Sequence, residues 1–256
     1  LAKRKAEQGG DNQLQPIASK VLMKCLYGAR VCGFDKLRAI CALASNVTKW
    51  DRTCDAKLHR LMCYINSTKS VKMYAKVGDR LKDVFLALFS DADFAGCSET
   101  MRSTSGVYMK LCGLNTHFPF SGCSTKQGCT SHSTTESEVV AADLAMRQEG
   151  LPAIDFWTFI LGDEILGKGK SIRCAFYEDN QAAIKVLESG QNKTLRYLGR
   201  THRVDMAWIV ERVQAGDFGL AYCTSEEQAA DIFTKHFVLK DKWHNARHAI
   251  GHETYE

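Results

Sequence analysis

The chain has 256 residues, 45% of them hydrophobic, enough for one large or two modest domains with buried cores. Its formal net charge is +5, and no apolar run approaches the roughly 18 residues that a membrane span needs. The eleven cysteines are odd in number and scattered, with no C-x-x-C pair and no second half to match Cys129 and His132, so reduced thiols are expected rather than zinc or disulfides.

The start, LAKRKAEQGGDNQ, is basic and lacks the apolar centre of a signal peptide. The expectation is a soluble intracellular protein, cytoplasmic or nuclear, with no membrane partner; a first residue other than Met suggests a piece of something longer. Residues 1–15 are polar with a Gly-Gly pair and are expected to fray. From Ile17 to about Lys76 apolar residues recur at helical spacing. Val21, Leu22, Cys25 and Leu26, then Leu37, Ile40, Cys41 and Leu43, then Leu58, Leu61, Met62 and Ile65 predict three short helices. Residues 1–85 hold 17 Lys/Arg against 7 Asp/Glu, whereas 86–256 hold 17 against 22. A basic segment ahead of an acidic one suits a polyanion-binding platform beside a carboxylate-rich site, although basic residues that merely solvate helix faces would give the same count.

From Val84 the pattern changes. Three strand-like runs, 84–90, 105–111 and about 115–121, suggest an antiparallel meander. A helix over about 134–149 opens on Ser133-Thr134-Thr135-Glu136, a capping-box pattern. Pro152 should end it, kink it, or begin the next helix, which runs to about Leu161. A strand over Ile172–Tyr177 leads into Glu178-Asp179-Asn180 and a short helix to about Glu188. An amphipathic helix over Arg203–Ala215, a strand over Phe218–Cys223 and a last helix carrying Asp231 follow, and Trp157 and Trp208 read as core residues. Residues 241–256 read as a peripheral tail.

Four acids stand at the ends or starts of these elements: Asp91, Glu136, Asp179 and Asp231. Each has an ordinary structural alternative. Asp91 has Asp93 as a rival, Glu136 is the natural partner of the Ser133 cap, Asp179 could cap its helix, and Asp231 could lie on the surface. If the four converge, their repulsion must be neutralised, and hard oxygen ligands select magnesium or manganese. Two such ions can activate a water and stabilise the leaving oxygen of a phosphoryl displacement. There is no G-x-S-x-G elbow, P-loop or G-x-G-x-x-G turn, which removes the common hydrolase, NTPase and dinucleotide classes.

The blocks SDADFAG (90–96), MRSTSG (101–106), STKQGCTSHSTTESEVVAA (124–142), EDNQAAI (178–184) and AADIFTK (229–235) resemble, in order, the ribonuclease H domain at the C-terminal end of copia-type retrotransposon Pol polyproteins. The stretches YGARVCGFDKLRAICALASNVTKW and DAKLHRLMCYINSTKS resemble more weakly the segment that follows the reverse transcriptase palm. The resemblance implies an α/β, RNase H-like fold: a five-stranded mixed sheet, strands one to three antiparallel, flanked by helices and preceded by a small helical subdomain. The implied division is a thumb- or connection-like segment over 1–83, an RNase H-like domain over 84–240 and the tail. It implies metal-binding and catalytic roles for Asp91, Glu136, Asp179 and Asp231, with Asp93 and Glu138 ranked second, and two Mg2+ ions, or Mn2+, as cofactor. The implied partners are an RNA–DNA hybrid, held by its backbone, and the remainder of the polyprotein, in a virus-like particle. RNA selection would rest on contacts to 2′-hydroxyls, for which Ser131, Thr134, Asn180 and Gln181 have suitable side chains. Relatives commonly read Arg-Thr-Lys-His where this chain has Arg200-Thr201-His202-Arg203, which leaves the role of that His open. A transposon-derived module that binds nucleic acid without cutting it is the alternative, and an integrase-like nuclease core is disfavoured by the order of the blocks.

Overall fold

The computed structural model describes residues 12–191, 195 and 197–254. The chain divides into two compact units, one holding the chain up to Met73 together with the residues from His252, the other Tyr74–Gly251. The expected fraying of 1–15 falls, for 1–11, outside the described residues; helix begins at Gln15.

The first unit contains the three expected helices. In α1 (Gln15–Cys32), Pro16 occupies the first turn, where its missing N–H costs no helix bond, and Ala18, Leu22 and Ala29 form the buried stripe. In α2 (Leu37–Ala44) the stripe is Leu37, Ile40 and Leu43. Helix α3 (Arg52–Ser67) is capped by Asp51, which accepts from the Cys54 amide at 2.7 Å, and buries Cys54, Leu58 and Leu61. Buried Asp35, between α1 and α2, accepts a hydrogen bond from the Tyr64 hydroxyl at 2.7 Å and pairs with Lys36, which ties that turn to α3. A short strand, β1 (Val71–Met73), pairs antiparallel with residues 252–254. Of the expected tail 241–256, residues 252–254 therefore supply the backbone partner that β1 needs, and 255 and 256 lie outside the described residues.

The second unit begins at Tyr74 rather than at 84. Lys76 bridges to His117, and the Thr116 hydroxyl accepts from the amides of Gly78 and Asp79, so this lead-in belongs to the sheet. Its strands are β2 (Phe85–Asp93), β3 (Thr104–Cys112), β4 (His117–Lys126), β5 (Cys174–Glu178) and β6 (Gly219–Tyr222), arranged β4-β3-β2-β5-β6. The β2/β3 and β3/β4 pairs are antiparallel, and β2/β5 and β5/β6 are parallel. This is the expected mixed sheet with its first three strands antiparallel. The crossover from β4 to β5 runs through α4 (Thr134–Ala145), a π-helical turn over Met146–Gly150, and α5 (Leu151–Leu166), with Pro152 in the first turn of α5. Leu86, Leu88, Val107, Met109 and Phe176 of the sheet pack against Val139, Ala142 and Ala145 of α4 and Ile154 and Leu161 of α5. Each large apolar side chain buried there contributes about 1.5–3 kcal/mol.

The remaining elements are α6 (Gln181–Ser189), α7 (Leu198–Thr201), α8 (Met206–Gln214) and α9 (Lys240–Ala249). Helix α8 starts three residues later than expected because Arg203 has φ +60° and Asp205 is the cap, accepting from the amides of Ala207 and Trp208. Trp157 and Trp208 pack against the core as expected. The expected last helix around Asp231 is a 3-10 turn, Ala229–Phe233, laid against β3. It is held by the Ser124 hydroxyl, which donates to the Phe233 carbonyl at 2.7 Å, and by the Gln228 amide, which donates to the Ser90 carbonyl at 2.9 Å. No helix among the described residues is long and apolar enough to cross a membrane.

Gly106 on β3 permits this close approach. A Cβ there would lie 2.7 Å from Thr234 Cγ2 and 2.8 Å from the Ala230 carbonyl oxygen. Gly106→Ala is therefore expected to lift the 229–234 segment off the sheet at a cost of about 1–3 kcal/mol, read as a lowered urea midpoint with an unchanged slope.

Candidate active site

Two strand ends and one turn meet at the C-terminal ends of the internal strands β2 and β5. Asp91 lies within β2, opposite Gly106, because β2 runs to Asp93 instead of ending at the expected Ser90. Asp179 is the first residue after β5, which runs parallel to β2 with Phe89 opposite Tyr177. Parallel neighbours end on the same side, the usual location of ligand sites in such sheets. Asp231 arrives from the 3-10 turn above Gly106. One oxygen from each of Asp91, Asp179 and Asp231 lies within 4.8 Å of the others, and a second group of the same closeness joins Glu138, Glu178 and Asp179.

Neutral donors orient these acids. The Thr234 hydroxyl donates to Asp91 Oδ2, and the Ser225 hydroxyl to Asp179 Oδ2 at 2.9 Å. Glu178 accepts from the Ser90 hydroxyl at 3.3 Å and from the Asn180 amide at 3.1 Å. The Lys235 ammonium lies 2.6 Å from Asp231 Oδ1, 3.4 Å from Asp91 Oδ1 and 4.0 Å from Asp179 Oδ2. Asp179 does not cap α6; Asn180 does, accepting from the amides of Ala182 and Ala183. Asp93 turns to the Thr104 amide and closes the β2–β3 connection.

Of the four acids expected from the resemblance, three converge and Glu136 does not. Its Oε2 accepts from the His132 amide at 2.8 Å, and its Oε1 lies 3.5 Å from His202 Nε2, while its own amide donates to the Ser133 cap. Glu138 takes the place in the centre instead. Residues two apart on a helix point about 200° away from each other, so the two glutamates cannot serve one site. The signal was the helical phase: Glu138 shares its stripe with Ala142 and Ala145, which face the core. Glu178 was also missed, although it continues the buried alternation of Cys174 and Phe176.

Glu136 belongs to a separate buried frame. Gln127 donates to the Ser105 hydroxyl and the Ser137 carbonyl and accepts from the Ser131 hydroxyl, which lies 3.5 Å from His202 Nε2. Burial pulls His202 below the ordinary imidazole range, against the opposing pull of Glu136. His202 thus anchors the 127–133 segment and belongs to neither carboxylate group. Cys129 donates to the Thr201 carbonyl, and both possible metal-holding groups among the described residues consist of carboxylates alone.

Burial and crowding push the central acids upward. Glu138 rises to about 10, through burial and then the charges of Glu178, Asp91 and Asp179. Glu178 rises to about 8, chiefly by burial, with the Asn180 amide opposing and Asp179 and Asp91 adding. Asp231 rises to about 7 through burial and Asp91, against Lys235, and Asp91 also rises by burial. Burial alone would lower Lys235, but Asp91 and Asp231 carry it above the ordinary lysine range. Glu138 Oε2 is buried with no hydrogen-bond partner among the described residues. An all-oxygen donor set with an unmet buried carboxylate oxygen fits a hard divalent cation such as Mg2+ or Mn2+.

No family model matches the chain. Over 171 residues it is 28% identical to the Retrovirus-related Pol polyprotein from transposon TNT 1-94 of Nicotiana tabacum, a match covering 66% of this chain and 12% of that one. The likeness is to a retrotransposon Pol polyprotein. The chain thus corresponds to about an eighth of that relative's length. Among solved structures it is similar to LC11-RNase H1, isolated from compost, at 14% identity and a TM-score of 0.37, covering 59% of this chain and 92% of that one. It is also similar to the N-terminal RNase H domain of rv2228c from Mycobacterium tuberculosis, at 11% identity and a TM-score of 0.34, covering 65% and 98%. Prototype foamy virus protease–reverse transcriptase follows at 10% identity and a TM-score of 0.32, covering 70% and 22%.

The raised acids bind protons more readily in the folded chain than in the unfolded one. The stability they contribute is full below the ordinary carboxylate range and is lost as pH rises through about 7, 8 and 10, the positions of Asp231, Glu178 and Glu138. Metal-free protein is therefore expected to melt at a lower temperature at pH 9 than at pH 6. Added Mn2+ should raise the melting temperature more at the higher pH, and a flat metal-free profile would contradict the assignment.

Proposed function

We propose that the chain is the ribonuclease H part of a copia-type Pol polyprotein and hydrolyses the RNA strand of RNA–DNA hybrids with Mg2+, for which Mn2+ can substitute. The observation that carries this reading is the meeting of Asp91 and Asp231 on one side, and Glu138 and Glu178 on the other, around Asp179 at the C-terminal ends of β2 and β5, within sequence blocks that resemble that domain. These acids, with Glu178, would hold the metal. When bound, it supplies the Lewis acidity that activates a water and stabilises the departing oxygen of the phosphodiester.

The chain's own groups prepare that chemistry. Thr234 and Ser225 fix the carboxylates of Asp91 and Asp179, and the Ser90 and Asn180 bonds hold Glu178. Burial of Glu138 and Asp91 keeps competing water from their oxygens and strengthens every charge interaction at the edge. The 127–133 segment, anchored through Gln127, Glu136 and His202, forms a rigid border beside the start of α4. Exposed Lys57 and Arg60 on α3 offer cations to a nucleic-acid backbone, the partner expected of the basic segment.

An end-labelled RNA–DNA hybrid, incubated with and without Mg2+ beside duplex DNA and duplex RNA, tests the reading. Cleavage of the hybrid's RNA strand alone is expected. Glu138→Gln and Asp179→Asn should each lower the rate by at least roughly 100-fold, the scale of losing one transition-state contact, with hybrid binding retained. Glu136→Gln should still cut, and full activity in Glu138→Gln would remove that residue from the site. Charge reversal of Lys57 and Arg60 together should weaken hybrid binding and flatten its dependence on salt; an unchanged slope would exclude the basic segment from the contact.

A further inference from the structure

The two halves of the carboxylate centre are not electrically alike. In the half formed by Asp91, Asp179 and Asp231, the Lys235 ammonium is within 4.0 Å of all three carboxylates and closest, at 2.6 Å, to Asp231. It is 39% exposed, so its long stem has solvent to move into. In the half formed by Glu138, Glu178 and Asp179, no Lys, Arg or His among the described residues lies within ion-pairing distance of either glutamate. Their side chains are buried, and Glu138 Oε2 lacks a hydrogen-bond partner. The counter-charge sits in one half and reaches the other only through the shared Asp179, at 4.0 Å.

We propose that the two halves load in a fixed order. The Glu138–Glu178–Asp179 half takes the first divalent cation, and the Asp91–Asp179–Asp231 half takes a second only as Lys235 withdraws. Lys235 is then a resident counter-ion that keeps the metal-free fold together and sets the metal concentration at which the centre fills. Glu178 is a fifth acid that adds a ligand and a negative charge to the first half. The inference rests on the metal reading given above. It follows from charge alone. A divalent ion entering the first half has no side-chain cation to displace from its glutamates, whereas one entering the second must displace an ammonium already bound.

Titration of the whole chain with Mn2+ alone, followed by calorimetry and by the spin-resonance signal of free Mn2+, tests this without nucleic acid or turnover. Wild type is expected to bind in two steps of unequal strength, or in one. Lys235→Met should strengthen the weaker step, or create it, by roughly tenfold or more, leave the stronger step nearly unchanged, and lower the metal-free melting temperature. Lys235→Arg keeps the charge and should keep the weaker step weak. Glu178→Gln should loosen the stronger step by roughly tenfold. A Lys235→Met protein whose weaker step is unchanged, or whose two steps shift together, overturns the order of loading. So does a Glu178→Gln protein in which the weaker step alone is affected. Absence of Mn2+ binding by wild type overturns the metal reading itself, a result distinct from either of these.

Discussion

Like charges confined together are what the second unit has to accommodate. Five carboxyl groups, from Asp91, Glu138, Glu178, Asp179 and Asp231, gather at the C-terminal ends of β2 and β5, with a single ammonium against them among the described residues. In a partly desolvated setting each such repulsion is several times stronger than in water. Neutral donors disperse some of it: Thr234 on Asp91, Ser225 on Asp179, Ser90 on Glu178. None of these bonds is strong alone, since a hydrogen bond contributes about 0.5–1.5 kcal/mol net and somewhat more to a charged acceptor. The apolar layer between the sheet and helices α4 and α5 supplies the stability against which the crowded edge is held.

Backbone geometry makes the crowding possible. The parallel pairing of β2 with β5 sends two strand ends out on the same side, and the absence of a side chain at Gly106 lets the turn carrying Asp231 settle onto β3. Bonds from Ser124 and Gln228 then lock that turn from beneath. The acids come from four distant places in the chain: β5 and the turn carrying Asp231 are bonded to β2, and α4 packs its apolar stripe against the sheet.

Much of this was legible in the sequence, and the failures have physical causes. The apolar run Leu86–Phe89 marks a strand covered on both faces, and the order of strands and helices agrees with the mixed sheet that the resemblance implies. The expected strand ends at Ser90, short of Asp93, because Asp91 is polar yet buried, covered by a segment about 140 residues later. Glu136 drew attention through its capping box, which is a local signal. Glu138 owes its role to the face of α4 that meets the sheet, readable from helical phase but only once the sheet is known. AADIF has helical composition, and its 3-10 form reflects contacts with β3 and β4 that no local window contains. The same holds for residues 252–254, whose strand exists only because β1 is there to pair with it.

That last pairing has a bearing on how the protein is made. The first unit is interrupted by the whole of Tyr74–Gly251 before its two-stranded sheet can close. During synthesis its three helices emerge before Tyr74–Gly251, whereas the strand that pairs with β1 emerges only after it. The intervening unit, whose own strands are all present earlier, can assemble while β1 still presents unpaired amides and carbonyls, the kind of edge that invites pairing with another chain. Completion of the first unit thus waits for the synthesis of the second, and loss of residues 252–254 would be felt at β1.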